Sequence, residues 1–173
     1  MYPLINRDNT CCFSGHRPTK LPWRFHEEDP RCVRLKENIF KAVSALYASG
    51  IHHYICGMAL GCDMYFCEAV IRLREEHPDI TLEAAIPCEA QALKWTEAQR
   101  NRYYNLIEQC NFETLLQRPY TKDCMRKRNC YMVDSSSVLL AVYDGTLSGT
   151  MQTIHYAEKR GLEIHILPVE KGP

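Results

Sequence analysis

The stretch SVLLAVY at residues 137–143 is the most continuous apolar run in the chain, and DGTLSGT at residues 144–150 follows it with two glycines and three hydroxyls. A run apolar on both faces suits an interior strand of a parallel sheet covered by helices. Residues 149–160 then read as a helix stopped by Gly161, and residues 163–167 as a last strand before Pro168. Strand, glycine loop, helix and strand in that order make one βαβ unit.

Upstream the same alternation repeats. TCCFS at 10–14 reads as a first strand, and HYIC at 53–56 as a second. ITLEAAI at 80–86 and 112–116 read as two more. Leu35, Ile39, Val43 and Leu46 recur at helical spacing over 31–49, with Gly50 as the stop. Residues 63–77, 93–110 and 123–134 supply further helices. Residues 16–30 are rich in proline and charge and read as a long loop, a length often given to function. The pattern predicts an α/β fold, Rossmann-like, three-layer α/β/α with a mostly parallel sheet. A chain of 173 residues predicts a single domain over 1–173.

Lysine plus arginine equals aspartate plus glutamate at 21 each. A zero net charge is poor equipment for coating nucleic acid, which runs on surplus cations. Ten cysteines show no C-x-x-C pair, and most lie among apolar residues, where a thiol acts as a small hydrophobe. They are expected to be reduced and structural, in a reducing compartment. The start MYPLINRDNT has no secretory pattern, and no run approaches a membrane helix, so the expectation is cytoplasmic with no membrane contact. No metal cluster and no Ser-His-Asp order stands out.

Three glycine-bearing loops follow strands. The first is Ser14-Gly15-His16-Arg17. The second runs from Gly57 through Met58, Ala59, Leu60 and Gly61 to Cys62 and Asp63, and the third from Asp144 and Gly145 to Ser148, Gly149 and Thr150. Ligands of open α/β sheets bind in the crevice at the carboxyl ends of strands. Glycine admits close backbone approach, and a helix N-terminus offers free N–H groups with partial positive charge. The three loops predict a site for an anionic, phosphorylated ligand. Ser148 and Thr150 suit either a phosphate or a helix cap, and Asp63 either an N-cap or a partner for ribose hydroxyls. Arg17 stands where a guanidinium grips an anion bidentately. Arg126, Lys127, Arg128 and Asn129 read as a solvated helix face with room for one of them in the crevice. Cys62, near a helix N-terminus, is a weak candidate for an activated thiol. Glu68 reads as a surface residue.

SGHRP at 14–18, GMALGCD at 57–63, the pair Arg128-Asn129 and YDGTLSGT at 143–150 resemble the YpsA-like branch of the SLOG superfamily. That superfamily includes DNA-processing protein A and the Lonely Guy phosphoribohydrolases. The resemblance covers about residues 10–168. It implies a Rossmann-like fold, a nucleotide-derived ligand such as an ADP-ribose-like molecule, and pairing into a homodimer. The phosphoribohydrolase pattern M-x-x-R-K is kept at Met125 and Arg128, with Asn129 for the lysine. Its P-G-G-x-G-T-x-x-E keeps Gly149-Thr150, but its glutamate falls on Thr153. Threonine cannot supply a carboxylate at the glycosidic carbon.

These readings favour a cytosolic sensor or regulator that binds a nucleotide or nucleotide-derived small molecule. Arg17 and Arg128 would grip its anionic groups. Two alternatives stay open: an N-glycosidase working through Asp63 or Asp144, and a single-stranded DNA-binding module.

Overall fold

The computed structural model describes residues 4–172; residues 1–3 and 173, the ends of the expected domain span and of the N-terminal reading, lie outside the described residues. Six strands form one sheet: β1 (Thr10–Gly15), β2 (His53–Cys56), β3 (Thr81–Ile86), β4 (Phe112–Leu115), β5 (Val138–Val142) and β6 (Glu163–Leu167). Their order is β4-β3-β2-β1-β5-β6, and every pairing is parallel. Five helices connect them: α1 (Pro30–Ala48), α2 (Cys62–Glu76), α3 (Glu97–Glu108), α4 (Cys124–Asp134) and α5 (Gly149–Lys159). The expected Rossmann-like α/β architecture is present. Among the described residues, no helix is long and apolar enough to cross a membrane.

The helices start where local chemistry caps them. Asp29 accepts the Arg31 N–H at 2.9 Å, with Pro30 at the first helical position of α1. The helix expected over 93–110 starts later, at Glu97. Ala92 and Trp95 are spaced like a helix face, yet residues 89–94 form turns. Thr96 and Gln99 then close a capping box, with Thr96 Oγ1 accepting the Gln99 N–H at 3.2 Å and Gln99 Oε1 the Thr96 N–H at 3.0 Å. The box fixes the start one turn downstream of the apolar signal. The loop before α1 also holds a short 3-10 turn, Pro18–Lys20, and buries Leu21 and Trp23.

The four inner strands, β3, β2, β1 and β5, are buried on both faces, and the edge strands β4 and β6 are partly exposed. Phe13, Ile39, Tyr54, Phe66 and Leu140 form the core under α1 and α2, where Phe13 stacks on Phe66 at 4.5 Å. Cys12, Ile55, Met132, Leu139 and Ile154 form the core under α4 and α5. Burying one such large side chain contributes roughly 1.5–3 kcal/mol. Eight of the ten cysteines are buried and all ten are free, so they pack as the sequence predicts. Glu68 is not simply a surface charge: Arg102 bridges it at 2.8 Å and also bonds Glu27, tying α2 and α3 to the loop before α1.

One patch of the sheet is polar. Glu83, on β3 and nearly buried, accepts the Thr114 hydroxyl at 2.8 Å and the Tyr131 hydroxyl from α4. Its other oxygen lies 2.8 Å from His53 Nε2, and His53 Nδ1 lies 2.7 Å from Thr81 Oγ1. Burial pushes the Glu83 carboxyl up, but the bonds from His53, Tyr131 and Thr114 outweigh it and hold it below the usual range.

Candidate functional site

From β1 the chain steps outward through β2 and β3 to β4, then returns to the far side of β1 as β5. The strand order therefore reverses between β1 and β5, and the loops after these two strands part around a crevice. That crevice holds about 330 Å³. Ser14, Gly15, His16 and Arg17 enter it from the end of β1, Ala59 and Asp63 from the β2–α2 connection. Arg128 and Asn129 enter from α4, and Ser148, Gly149 and Thr150 from the start of α5.

Ser148 caps α5, its Oγ accepting the Met151 N–H at 3.2 Å. Thr150 Oγ1 accepts the Ser14 hydroxyl at 3.3 Å, which joins the β1 loop to the helix start. The first amides of α5 have no carbonyl partner within the helix. With the Met151 N–H taken by Ser148, those of Gly149 and Thr150 have no hydrogen-bond partner among the described residues, and a Cβ built on Gly149 would meet nothing within 4 Å.

Of the three cations in the basic cluster, Arg128 is the one turned inward, next to Asn129. It is 4% exposed, whereas the Arg126 and Lys127 side chains are 69% and 53% exposed. Its Nη1 donates to the Gly57 carbonyl at the end of β2, and Nε to Asn129 Oδ1 at 2.9 Å. Asp63 Oδ2 accepts the Ala59 N–H at 3.0 Å, closing the 57–63 loop on itself. The N-cap of α2 is Gly61, so Asp63 braces the loop from the first turn instead of capping the helix. Burial pushes the Asp63 carboxyl up, while the Arg128 charge and the Ala59 N–H pull it back. Arg17 is exposed at the rim and makes no ion pair among the described residues.

His16 is 2% exposed, and burial holds its pKa below the ordinary 6.5 against the pull of Asp144. Its Nε2 accepts the Asp144 N–H at 3.2 Å and lies 2.9 Å from Asp144 Oδ1. Asp144 also accepts from the Thr146 hydroxyl at 2.6 Å and the Thr146 N–H at 3.1 Å, with Lys171 3.5 Å away. This carboxylate is consumed in holding the β5–α5 loop against β1.

Five of the expected residues do not line the crevice: Gly57, Met58, Gly61, Asp144 and Gly145. Two of the glycines are required by chain-on-chain contact. A Cβ at Gly57 would sit 2.7 Å from Arg128 Cζ, and one at Gly61 2.8 Å from the His16 carbonyl oxygen, at φ +88°. Met58 takes the left-handed conformation at φ 57°, fully buried, with Gln91 donating to its carbonyl at 3.0 Å. Cys62 is fully buried, and burial drives its thiol well above the usual range, the opposite of activation. Thr19 and Lys20 line the crevice and were not anticipated; Lys20 Nζ donates to the Leu147 carbonyl at 2.8 Å. Both extend the SGHRP motif by two residues, the one signal the sequence carried for them.

Gly61→Ala is expected to cost about 3 kcal/mol, combining left-handed strain with the clash against His16. Gly145→Ala has the same sign of φ and open surroundings, and is expected to cost about 1–2 kcal/mol. Urea unfolding of the two variants measures the difference; equal losses would mean that the contact at Gly61 carries no weight.

A parallel α/β sheet with a crevice at its strand-order reversal defines a Rossmann-like protein. The YpsA model, described as the YspA SLOG family, matches residues 11–171, and the chain belongs to that family. It is 27% identical to the UPF0398 protein YpsA of Bacillus subtilis over 150 residues, 85% of this chain and 83% of that protein. It is 32% identical to the SPbeta prophage-derived protein YoqJ of the same species over 145 residues, 76% of this chain and 85% of that one. Among solved structures, DNA processing protein A from Streptococcus pneumoniae superposes with a TM-score of 0.62 at 13% identity. That match covers 93% of this chain and 50% of the other, and shows the shared fold.

Proposed function

We propose that the crevice binds the phosphate of a nucleotide or nucleotide-derived small molecule, and that the chain works as a cytosolic sensor or regulator of it. The observation that carries this is the open start of α5. Its free amides, with the helix dipole behind them, share one crevice with Arg17, Lys20 and Arg128. A phosphate there gains amide and guanidinium donors together, and Asp63 stands within the same crevice for a ribose hydroxyl. The volume lies at the lower end of the roughly 300–1,000 Å³ of small-molecule sites.

Thermal shift with AMP, GMP, NAD and ADP-ribose tests the reading. A ligand at about 100 times its dissociation constant adds about 2.7 kcal/mol, which for a chain of this size raises Tm by roughly 5–10 °C. Gly149→Asp is expected to abolish the rise while leaving the unliganded Tm unchanged, because nothing lies within 4 Å of the new Cβ. A flat response to all four compounds at millimolar concentration overturns the proposal.

One observation favours a second reading, cleavage of a nucleotide N-glycosidic bond. Asp63 is the carboxylate that lines the crevice, and burial raises its pKa toward the range of a general acid. Thr153, at the position of the phosphoribohydrolase glutamate, lies outside the crevice and donates to the Gly149 carbonyl at 3.0 Å. Chromatography of recovered ligand distinguishes the two readings: intact ligand supports the sensor, and a free base lost in Asp63→Asn supports the enzyme.

A further inference from the structure

A groove of about 390 Å³ runs between α4 and α5 and meets the crevice at Asn129, whose side chain lines both. Tyr156 OH donates to Asp134 Oδ1 at 2.9 Å and Arg160 Nε bonds the same oxygen at 2.9 Å. These bonds tie the two helices together at their C-terminal ends, while toward their N-terminal ends the groove opens into the crevice. No carboxylate lines it. Its cations are loosely held: Arg126 is 4.0 Å from Asp123, and Lys159 makes no ion pair among the described residues. Between them, half-buried Cys130 and Tyr156 give the wall a mainly apolar surface.

The crevice alone has room for about one nucleotide unit, and the groove adds a comparable space of a different character. Resting on the phosphate-binding reading above, we infer that this groove is a second subsite, taking the distal sugar half of a two-part, pyrophosphate-linked nucleotide. Asn129 stands at the junction, where it meets the linking phosphates together with Arg126. The distal ring lies against Tyr156, with Lys159 and His155 at its hydroxyl edge. A mononucleotide fills the crevice and leaves the groove empty.

Isothermal titration with AMP and ADP-ribose at pH 8 tests this, since each carries about two negative charges there and general field effects cancel in the comparison. ADP-ribose is expected to bind at least about tenfold more tightly than AMP. The double variant Arg126→Glu/Lys159→Glu changes exposed side chains, so folding is spared. It is expected to erase the ADP-ribose advantage while moving AMP affinity by less than about threefold, and Gly149→Asp to remove both ligands. Equal affinity for the two ligands in the native chain, or an advantage that survives the double variant, overturns the second subsite and leaves the crevice reading standing. Binding of neither ligand overturns the crevice reading and this inference with it.

Discussion

Arg128→Ala is expected to weaken binding of the phosphate ligand at least about 100-fold, roughly 3 kcal/mol, while lowering stability by about 2 kcal/mol. The two effects have separate causes. Arg128 is a buried cation whose charge is opposed from nearby by Asp63, and burial lowers its own pKa. Removing it leaves Asp63 as the principal charge of the inner crevice wall, and that sign repels phosphate. The stability loss stays moderate because the Gly57 carbonyl keeps the Gln91 amide, at 3.2 Å, and because the chain no longer bears the cost of a desolvated guanidinium. Arg128→Lys is expected to recover charge without the planar fork, and so to restore only part of the affinity. Calorimetry alongside urea unfolding separates the two effects. Undiminished binding in Arg128→Ala would show that the ligand sits elsewhere.

Glu83→Ala should produce the largest loss of stability, about 3–5 kcal/mol. For a chain of this length that is a fall in Tm of very roughly 10 °C. The carboxylate accepts from Tyr131 and Thr114 and faces His53. Truncating it strands two half-buried hydroxyls and a buried imidazole among β2, β4 and α4. Its folded pKa is depressed below the ordinary 4.5. A depressed carboxylate stabilises above its unfolded pKa, and that stability is lost as pH falls through the folded value. The stability gap between the native chain and Glu83→Gln is therefore expected to be constant near neutrality. It should close as the pH drops below about 4.5. A gap independent of pH in acid would mean that the carboxyl is not held ionised by its partners.

Much of this fold is legible locally. Each strand lies within one residue of where short, mainly apolar runs and their bounding turn residues place it, as expected for strands of a parallel sheet covered by helices. The late start of α3 was hidden because Ala92 and Trp95 imitate helical spacing while packing from turns. The order of the strands lies beyond local pattern altogether. It decides that the loops of β1 and β5, more than a hundred residues apart, face one crevice.

The site was legible as a set of residues and less so in its roles. Glycine in a strand-to-helix loop has the same spelling whether a ligand or a neighbouring side chain occupies the missing Cβ. Gly57 and Gly61 proved to be the second kind and Gly149 to face open space. The Glu83 cluster gave no signal because His53, Thr114 and Tyr131 are far apart in sequence and meet only when β2, β3, β4 and α4 assemble.

The contact of Arg128 with Gly57, and of Gly61 with His16, has a consequence for inheritance within this family. A descendant that stopped using the ligand would still be unable to replace Gly61, where φ is +88° and the His16 backbone fills the space. Gly57, by contrast, is crowded by the Arg128 side chain alone and is released once that arginine drifts. The most recognisable stretch of the chain therefore records ancestry of the scaffold and is silent about whether the activity survived. The positions free to drift once use ceases are Gly149, which nothing crowds, and Arg17, exposed at the rim. Retention of those two, more than of GMALGCD, separates working copies from relics when genomes are compared.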